Sequence, residues 1–324
     1  MMAWLLDWLA LALLAAPAAA QVSGEALPAG RIPPFQHVFV IIEENMGFEE
    51  VTTTHGHEAP YLNALAAAHV RHEAYYGLAH ASLGNYTAMI SGQIPTSDER
   101  RNCPRYSNCV RAGPTLAAQL DAKGRTWRGY FESMPFACAR PTGFFDDYHY
   151  GYATRHNPFV YFREIVDDEA YCRAHVVPYA KNFAQDLAST PPNFAFIVPN
   201  TCSDGHDTGC KGAKTPLEVL DAWLEENVPP ILKFVYKTPG SVLIITFDEA
   251  EKDDRSACCN QAPKRGGGHI DFVMVAPALE RKPGHRSKVA GNHYSLLRTL
   301  QEGFGLAPLG ESARVKPMTD LFVP

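Results

Sequence analysis

Four short apolar runs constrain this chain more than any other feature: HVFVII at 37–42, FAFIV at 194–198, SVLIITF at 241–247 and DFVMVA at 271–276. None alternates with polar residues. A strand with one wet face reads apolar-polar-apolar, whereas continuous hydrophobicity is what a strand covered on both faces needs. The runs therefore predict a mainly parallel central sheet flanked by helices. Stretches with apolar residues at three- and four-residue spacing lie between them, APYLNALAAAHV, PTLAAQLDAKG, PLEVLDAWLEENV and YSLLRTLQEGF, and supply those helices. The class is α/β, and no internal repeat interrupts it.

The carboxyl ends of the first three runs carry chemistry. Glu43-Glu44-Asn45 closes the first, Asn200 through Asp207 comes after the second and Asp248-Glu249 after the third. In open α/β sheets the ligand crevice lies beyond the carboxyl ends of the strands, so clusters distant in sequence are expected to converge there. Glu44, Asn45, Asp248 and Glu249 together make an oxygen-rich site for a divalent cation. Either pair alone is weak, since acidic strand ends are commonly just solvated and the run around Asp248 also reads as a charged loop.

Three further segments hold candidates. HASLGNYTAMISG, residues 80–92, sets Ser82 before a helix-like stretch. It reads either as an N-cap or as a hydroxyl poised at a helix N-terminus to attack phosphorus, where free backbone N–H groups and the dipole hold anionic oxygens. PNTCSDGHDTGC, residues 199–210, puts His206 and Asp207 in a loop flanked by two cysteines, either merely exposed or suited to acid catalysis and ligation. GGGHID, residues 266–271, places His269 beside glycines that permit a close approach to a ligand or only a flexible turn.

Several classes are excluded or disfavoured. A net charge of -6 and a pI near 6.1 leave no basic excess for a phosphate backbone, so nucleic acid is not an expected partner. There is no G-x-x-x-x-G-K-[ST] loop, GGGH precedes a strand where a dinucleotide turn would come after one, and no G-x-S-x-G elbow occurs. Residues 4–20 form an apolar stretch ending in three alanines, read here as a signal peptide over residues 1–20 and not as a stable membrane span, with an uncleaved anchor as the rival because no Lys or Arg precedes it. Eight cysteines with no C-x-x-C pair favour disulfides over a zinc knuckle and a secreted or periplasmic location. Proximity suggests 103 with 109 and 202 with 210, leaving 138 with 172 and 258 with 259, although sequence does not fix connectivity. Aromatic residues crowd 130–162, within a loop-rich insertion at about 100–165, either as a satellite core under long loops or as a wall of the substrate pocket.

Taken together and in order, these segments resemble the phosphoesterase family of bacterial acid phosphatases and phospholipases C, within the alkaline-phosphatase-like superfamily. VFVIIEENMGFEEV resembles its opening strand and E-N-R-S-F-D element, HASLGNYTAMISG its H-P-S-L-P-N-Y segment, and PNTCSDGHD its P-N-x-x-x-D-x-H-D loop. IITFDEAE resembles its I-T-W/F-D-E strand end and NHYSLLRTLQEGFGL its N-H-Y-S-L-L helix, so the likeness runs from about residue 36 to 306. It implies an alkaline-phosphatase-like fold, with residues 21–324 as a single phosphoesterase domain. It also implies a metal site from Glu44, Asn45, Asp248 and Glu249, with Mg, Mn, Ca and Zn all compatible, and Ser82 as the nucleophile of a phosphoseryl intermediate. His206 falls to catalysis, Asn85, Asp207 and His269 to the substrate, and Asn292 and His293 to support. Met46-Gly47, Glu49, Ala81 and Gly84 depart from the family pattern without removing a ligand, and put the shape of the substrate pocket at issue. Sulfatases share the superfamily fold but use C-x-P-x-R, and Cys103-Pro104-Arg105 lacks that spacing. The expected function is an exported, metal-dependent phosphomonoesterase of the acid-phosphatase kind acting on a small phosphate ester. The alternatives are a phospholipase C acting on a phospholipid and a non-catalytic extracellular cation-binding module.

Overall fold

The computed structural model describes residues 31–141, 151–210, 212, 214–259 and 266–323. The expected signal peptide at 1–20 and Phe144, Phe145, Tyr148 and Tyr150 of the aromatic stretch lie outside them. The strands are β1 His37–Glu43, β2 Val70–His72, β3 Tyr75–Tyr76, β4 Trp127–Phe131, β5 Val176–Pro178, β6 Phe194–Val198, β7 Ser241–Phe247, β8 His269–Ile270, β9 Phe272–Val275, β10 Arg286–Ser287 and β11 Gly291–Asn292. An eight-stranded sheet runs β10-β2-β9-β7-β1-β6-β4-β5, beside a three-stranded sheet β11-β3-β8.

The fully apolar runs occupy the middle of the large sheet. β1 pairs in parallel with β6 on one side and β7 on the other, and every β1 residue after His37 is buried. All of β6 and all of β7 are buried as well, which is why neither alternates. The DFVMVA run forms β9, which is antiparallel to β7 and turns the sheet away from purely parallel at that side. β4 and β5 continue the parallel sheet beyond β6. Neither stood out as an apolar run, because β4 carries half-buried Arg128 and β5 has three residues.

Eight helices are described: α1 Pro60–Ala68, α2 Ser82–Ser91, α3 Leu116–Ala122, α4 Arg163–Val166, α5 Glu169–His175, α6 Tyr179–Ser189, α7 Pro216–Lys237 and α8 His293–Gly303. The α7 N-terminus is a capping box between Thr215 and Glu218 with Pro216 at the first position. The helix runs through Pro229 and Pro230 past the expected end near Val228, since Ile231 and Val235 beyond them are buried. Among the described residues no helix is long and apolar enough to cross a membrane.

Of the aromatic stretch, Tyr130, Phe131, Tyr152, Phe159, Tyr161 and Phe162 pack into the main core and not into a separate satellite, with Phe159 stacked 4.7 Å from Trp127. Phe136 is exposed. The cysteines pair as 103–109, 138–172, 202–210 and 258–259.

Candidate active site

Parallel neighbours β1, β6 and β7 discharge their loops at one edge of the sheet, and backbone bonds tie those loops together. Glu44 N–H donates to the Asp204 carbonyl at 2.9 Å and Asp248 N–H to the Glu43 carbonyl at 2.9 Å. Asn45 adopts a left-handed turn, φ 52°, which points its N–H at Asp248 Oδ1, 3.2 Å away, and lets its side-chain amide donate to Glu44 Oε2 at 2.8 Å. Ser82 donates to the same Glu44 Oε2 at 3.0 Å.

Ser82 is therefore not a cap. It is the first residue of α2, the capping position belongs to Ala81 without a side-chain bond, and the hydroxyl turns away from the helix to the acid. Two N–H groups expected to hold phosphate at this helix end are already occupied, Leu83 by Asn102 Oδ1 at 3.1 Å and Gly84 by the Ala81 carbonyl at 3.3 Å. The helix dipole remains at that end. Asn85, fully buried, spends its amide on the preceding turn: Oδ1 accepts from Leu78 and Ala79, and Nδ2 donates to the Ala79 carbonyl.

Glu249 N–H donates to Asp248 Oδ1 at 2.6 Å, and its own carboxylate lies 2.5 Å from His80 Nδ1. His80 Nε2 in turn binds the Asp254 carbonyl at 2.7 Å. Burial pulls the His80 ring down, but the hydrogen bond and charge of Glu249 outweigh it and leave the ring raised.

Three groups that sequence reasoning did not single out complete the cluster. His156, buried, places Nε2 3.1 Å from Glu44 Oε1 and Nδ1 3.3 Å from Asp204 Oδ2. It arrives on a single 3-10 turn, Thr154–His156, with its ring stacked on Tyr86. Arg155 comes on the same turn and donates toward His206 Nε2 at 3.4 Å. Asp204 belongs to the same loop as His206 and accepts the His206 N–H at 2.9 Å. The aspartate inside PNTCSDGHD was the available signal for Asp204, whereas an RH pair within an aromatic stretch gives none.

His206 and Asp207 sit in the loop that the 202–210 disulfide closes. His206 Nδ1 is 2.7 Å from Asp207 Oδ1, and Asp207 Oδ2 accepts from Thr201 Oγ1 at 2.6 Å, so the ring is oriented from behind with Nε2 facing Arg155. His293 Nε2 lies 2.6 Å from the Asp248 carbonyl and its Nδ1 meets Tyr75, while Asn292 caps α8. His269 stands apart: its N–H goes to Asp254 Oδ2, its Nε2 to the Glu73 carbonyl, and its ring lies between Phe48 and Tyr76.

Acid is concentrated here beyond what the protein itself satisfies. Buried Glu44 Oε1, Asp204 Oδ2 and Glu249 Oε2 have only their close contacts with the His156 and His80 rings, and Asp248 Oδ2, also buried, makes no hydrogen bond among the described residues. Burial, then the charges of Asp248, Asp204 and Glu249, raise Glu44 well above the carboxylate range, with Arg155 opposing. Asp248 is pushed up to about 8 by burial and by Glu249. Burial also raises Asp204, and it drives His156 far below the usual imidazole value, helped by Arg155 and His206. Unsatisfied buried carboxylates and a neutral imidazole are the donor set a divalent cation takes, so the residues fit a metal. The one trio of His, Cys, Asp or Glu donors within 4.8 Å of one another among the described residues is Cys202, Asp207 and Cys210, whose sulfurs are bonded to each other. The ligand atoms of the buried carboxylates do not gather that closely.

The model of the Phosphoesterase family matches residues 54–307, so Glu44 and Asn45 lie ahead of the matched segment. A phosphatidylinositol-3-phosphatase of Mycobacterium tuberculosis is 26% identical over 301 residues, covering 91% of this chain and 86% of that protein. A probable acid phosphatase of Kluyveromyces lactis is 27% identical over 279 residues, covering 85% of this chain and only 60% of its own length. Among solved structures, a protein in the alkaline phosphatase superfamily from Vibrio parahaemolyticus superposes with a TM-score of 0.59 at 12% identity, covering 91% of this chain and 74% of that one, a likeness of fold.

Proposed function

From the premise that the chain belongs to the phosphoesterase family and is a phosphoric-ester hydrolase, we propose that it cleaves small phosphate monoesters by way of Ser82 and a bound divalent cation. The observation that carries this reading is the hydrogen bond from Ser82 Oγ to Glu44 Oε2 at the point where the unsatisfied carboxylates meet.

Glu44, Asn45 and Asp248 would hold the ion, with Glu249, Asp204 and His156 as further donors. When bound, it supplies Lewis acidity toward a phosphate oxygen and neutralises the acid cluster that would otherwise repel an anionic substrate. Glu44 Oε2 orients the Ser82 hydroxyl and takes its proton as the Ser82 oxygen bonds to phosphorus and the bond to the alcohol breaks. Arg155 is the guanidinium that faces the phosphate oxygens. His206, its Nδ1 steadied by Asp207, in its protonated form passes a proton from Nε2 to the departing oxygen, with Arg155 turned from the ring to the phosphate. Water then cleaves the phosphoserine, releasing inorganic phosphate. Asn85 holds the turn ahead of Ser82. The leader and the four disulfides support action outside the cytoplasm.

The test measures product release from p-nitrophenyl phosphate and from phosphatidylcholine, with chelator and with added divalent metals, beside Ser82→Ala. Metal-dependent cleavage of the monoester, abolished in the variant, is expected. Release of diacylglycerol would move the assignment to a phospholipase C, and silence on both substrates from folded, metal-loaded protein would leave a cation-binding module.

A further inference from the structure

The end of the sheet opposite the Ser82 site carries a second line of acid, imidazole and hydroxyl. β7 spans its seven residues, about 23 Å, between the two ends. At its amino-terminal end the antiparallel pairing of β2 with β9 sets Val70 against Met274, which brings His69, one residue ahead of β2, beside the close of β9 and the turn that leads to Glu280. Tyr236 comes to the same place from the last turn of α7.

The three side chains are hydrogen-bonded in series. His69 Nδ1 lies 3.1 Å from both carboxylate oxygens of Glu280, and Tyr236 Oη meets His69 Nε2 at 2.8 Å. His69 and Glu280 are each 6% exposed, whereas Tyr236 is 57% exposed, so a buried pair ends on a tyrosine that a reagent can reach. The turn holds the acid in place: Glu280 Oε2 accepts the Ala276 N–H at 3.1 Å, and the Glu280 N–H returns to the Ala276 carbonyl at 2.7 Å. An ionised Glu280 accepts the proton of His69 Nδ1, which leaves the lone pair of the neutral ring on Nε2 and makes the phenol the donor. Burial and the charge of Glu280 raise the phenol above its ordinary range, so it loses its proton to the ring and not to water. An acid that orients an imidazole, and an imidazole bonded to a hydroxyl, form the arrangement of a base-assisted nucleophile.

We propose that Tyr236 is a nucleophilic acceptor of acyl groups, a modification site separate from the Ser82 centre, whose donor is an activated acyl compound such as an acyl imidazole or an aryl ester. The Tyr236 oxygen bonds to the acyl carbon as the bond from that carbon to the leaving group breaks, and the leaving group departs with the electron pair. The phenolic proton passes to His69 Nε2, and Glu280 stabilises the imidazolium until the ring gives that proton to the leaving group. The step uses neither Ser82 nor the carboxylate cluster and stands apart from the hydrolase reading.

The experiment treats the protein at about pH 8 with N-acetylimidazole and follows O-acetylation of Tyr236 by peptide mass spectrometry, with release by hydroxylamine separating the tyrosyl ester from lysyl amides. Tyr236 is expected to react about tenfold or more faster than N-acetyltyrosine amide in the same solution, within the reach of base assistance by a positioned imidazole. His69→Gln should bring the rate down to that of the free amide or below, and so should Glu280→Gln, which keeps an acceptor for the Ala276 N–H. Circular dichroism and the urea midpoint check the fold of each variant. A wild-type rate no greater than that of the free amide overturns the proposal. A rate that neither folded variant lowers also overturns it, and leaves the three residues as a tie between α7, the end of α1 and the turn after β9. If His69→Gln does not fold, Glu280→Gln and the wild-type comparison decide.

Discussion

Glu44 Oε2 accepts hydrogen bonds from both Ser82 Oγ and the Asn45 amide, while its Oε1, equally buried, faces His156 Nε2 at 3.1 Å. One oxygen thus organises the Ser82 side of the cluster and the other points at the second candidate donor. Without a bound cation the carboxylate is a burden on the fold, since burial and three neighbouring acids all oppose its charge. Glu44→Gln removes the burden and keeps the shape. Its metal-free form should be more stable than the wild type by about 1–2 kcal/mol in urea unfolding, while metal content and turnover both collapse. Loss of activity with metal content unchanged would instead confine Glu44 to orienting Ser82.

His156 makes a sharper test because nothing in the sequence singled it out. Burial keeps the ring neutral, and a neutral imidazole has a lone pair to give. His156→Gln should weaken divalent-metal affinity by about 10–100-fold, measured by competition with a chelating indicator. Unchanged affinity would leave the ring as packing against Tyr86.

The contrast between Glu44 and His156 separates what a linear pattern can carry from what it cannot. β1, β6 and β7 were readable because strands covered on both faces cannot alternate, and Glu44, Asp204 and Asp248 sit where their loops converge. β4 was not, because Arg128 breaks its apolar run, and the second half of α7 was hidden behind Pro229 and Pro230, which ordinarily end a helix. Ser82 was visible as a helix-start residue, but only the fold separates a cap from a hydroxyl aimed at Glu44. His156 reaches the site on a short turn of the insertion, so its proximity to Glu44 is a product of tertiary packing that no local pattern encodes.

Acid sensitivity should trace in part to a histidine away from the site. His72 is buried against Tyr75 and Phe272, and burial, opposed by Asp320, lowers its titration from 6.5 to about 4. As pH falls through 6.5 the unfolded chain takes up this proton and the folded protein does not until about 4. The contribution of the neutral ring is therefore whole above 6.5 and lost across that window, by up to about 3 kcal/mol. His72→Asn keeps an acceptor for the Ala74 N–H and cannot titrate. Between about pH 7 and about pH 4 its unfolding free energy should fall by less than that of the wild type, by about that amount. Parallel declines would assign the sensitivity to other groups.

Asn85 separates positioning from substrate binding. Its amide satisfies the N–H groups of Leu78 and Ala79 and the carbonyl of Ala79, all on the turn that leads into α2, and it is buried from solvent. Asn85→Leu keeps the volume but orphans those backbone groups, at a cost of about 3 kcal/mol in urea unfolding. Because the freed turn carries Ser82, turnover should fall with stability, chiefly in kcat, while metal content is retained. A variant with unimpaired stability and a raised KM would show the opposite arrangement, with the amide released from the turn and acting on the substrate.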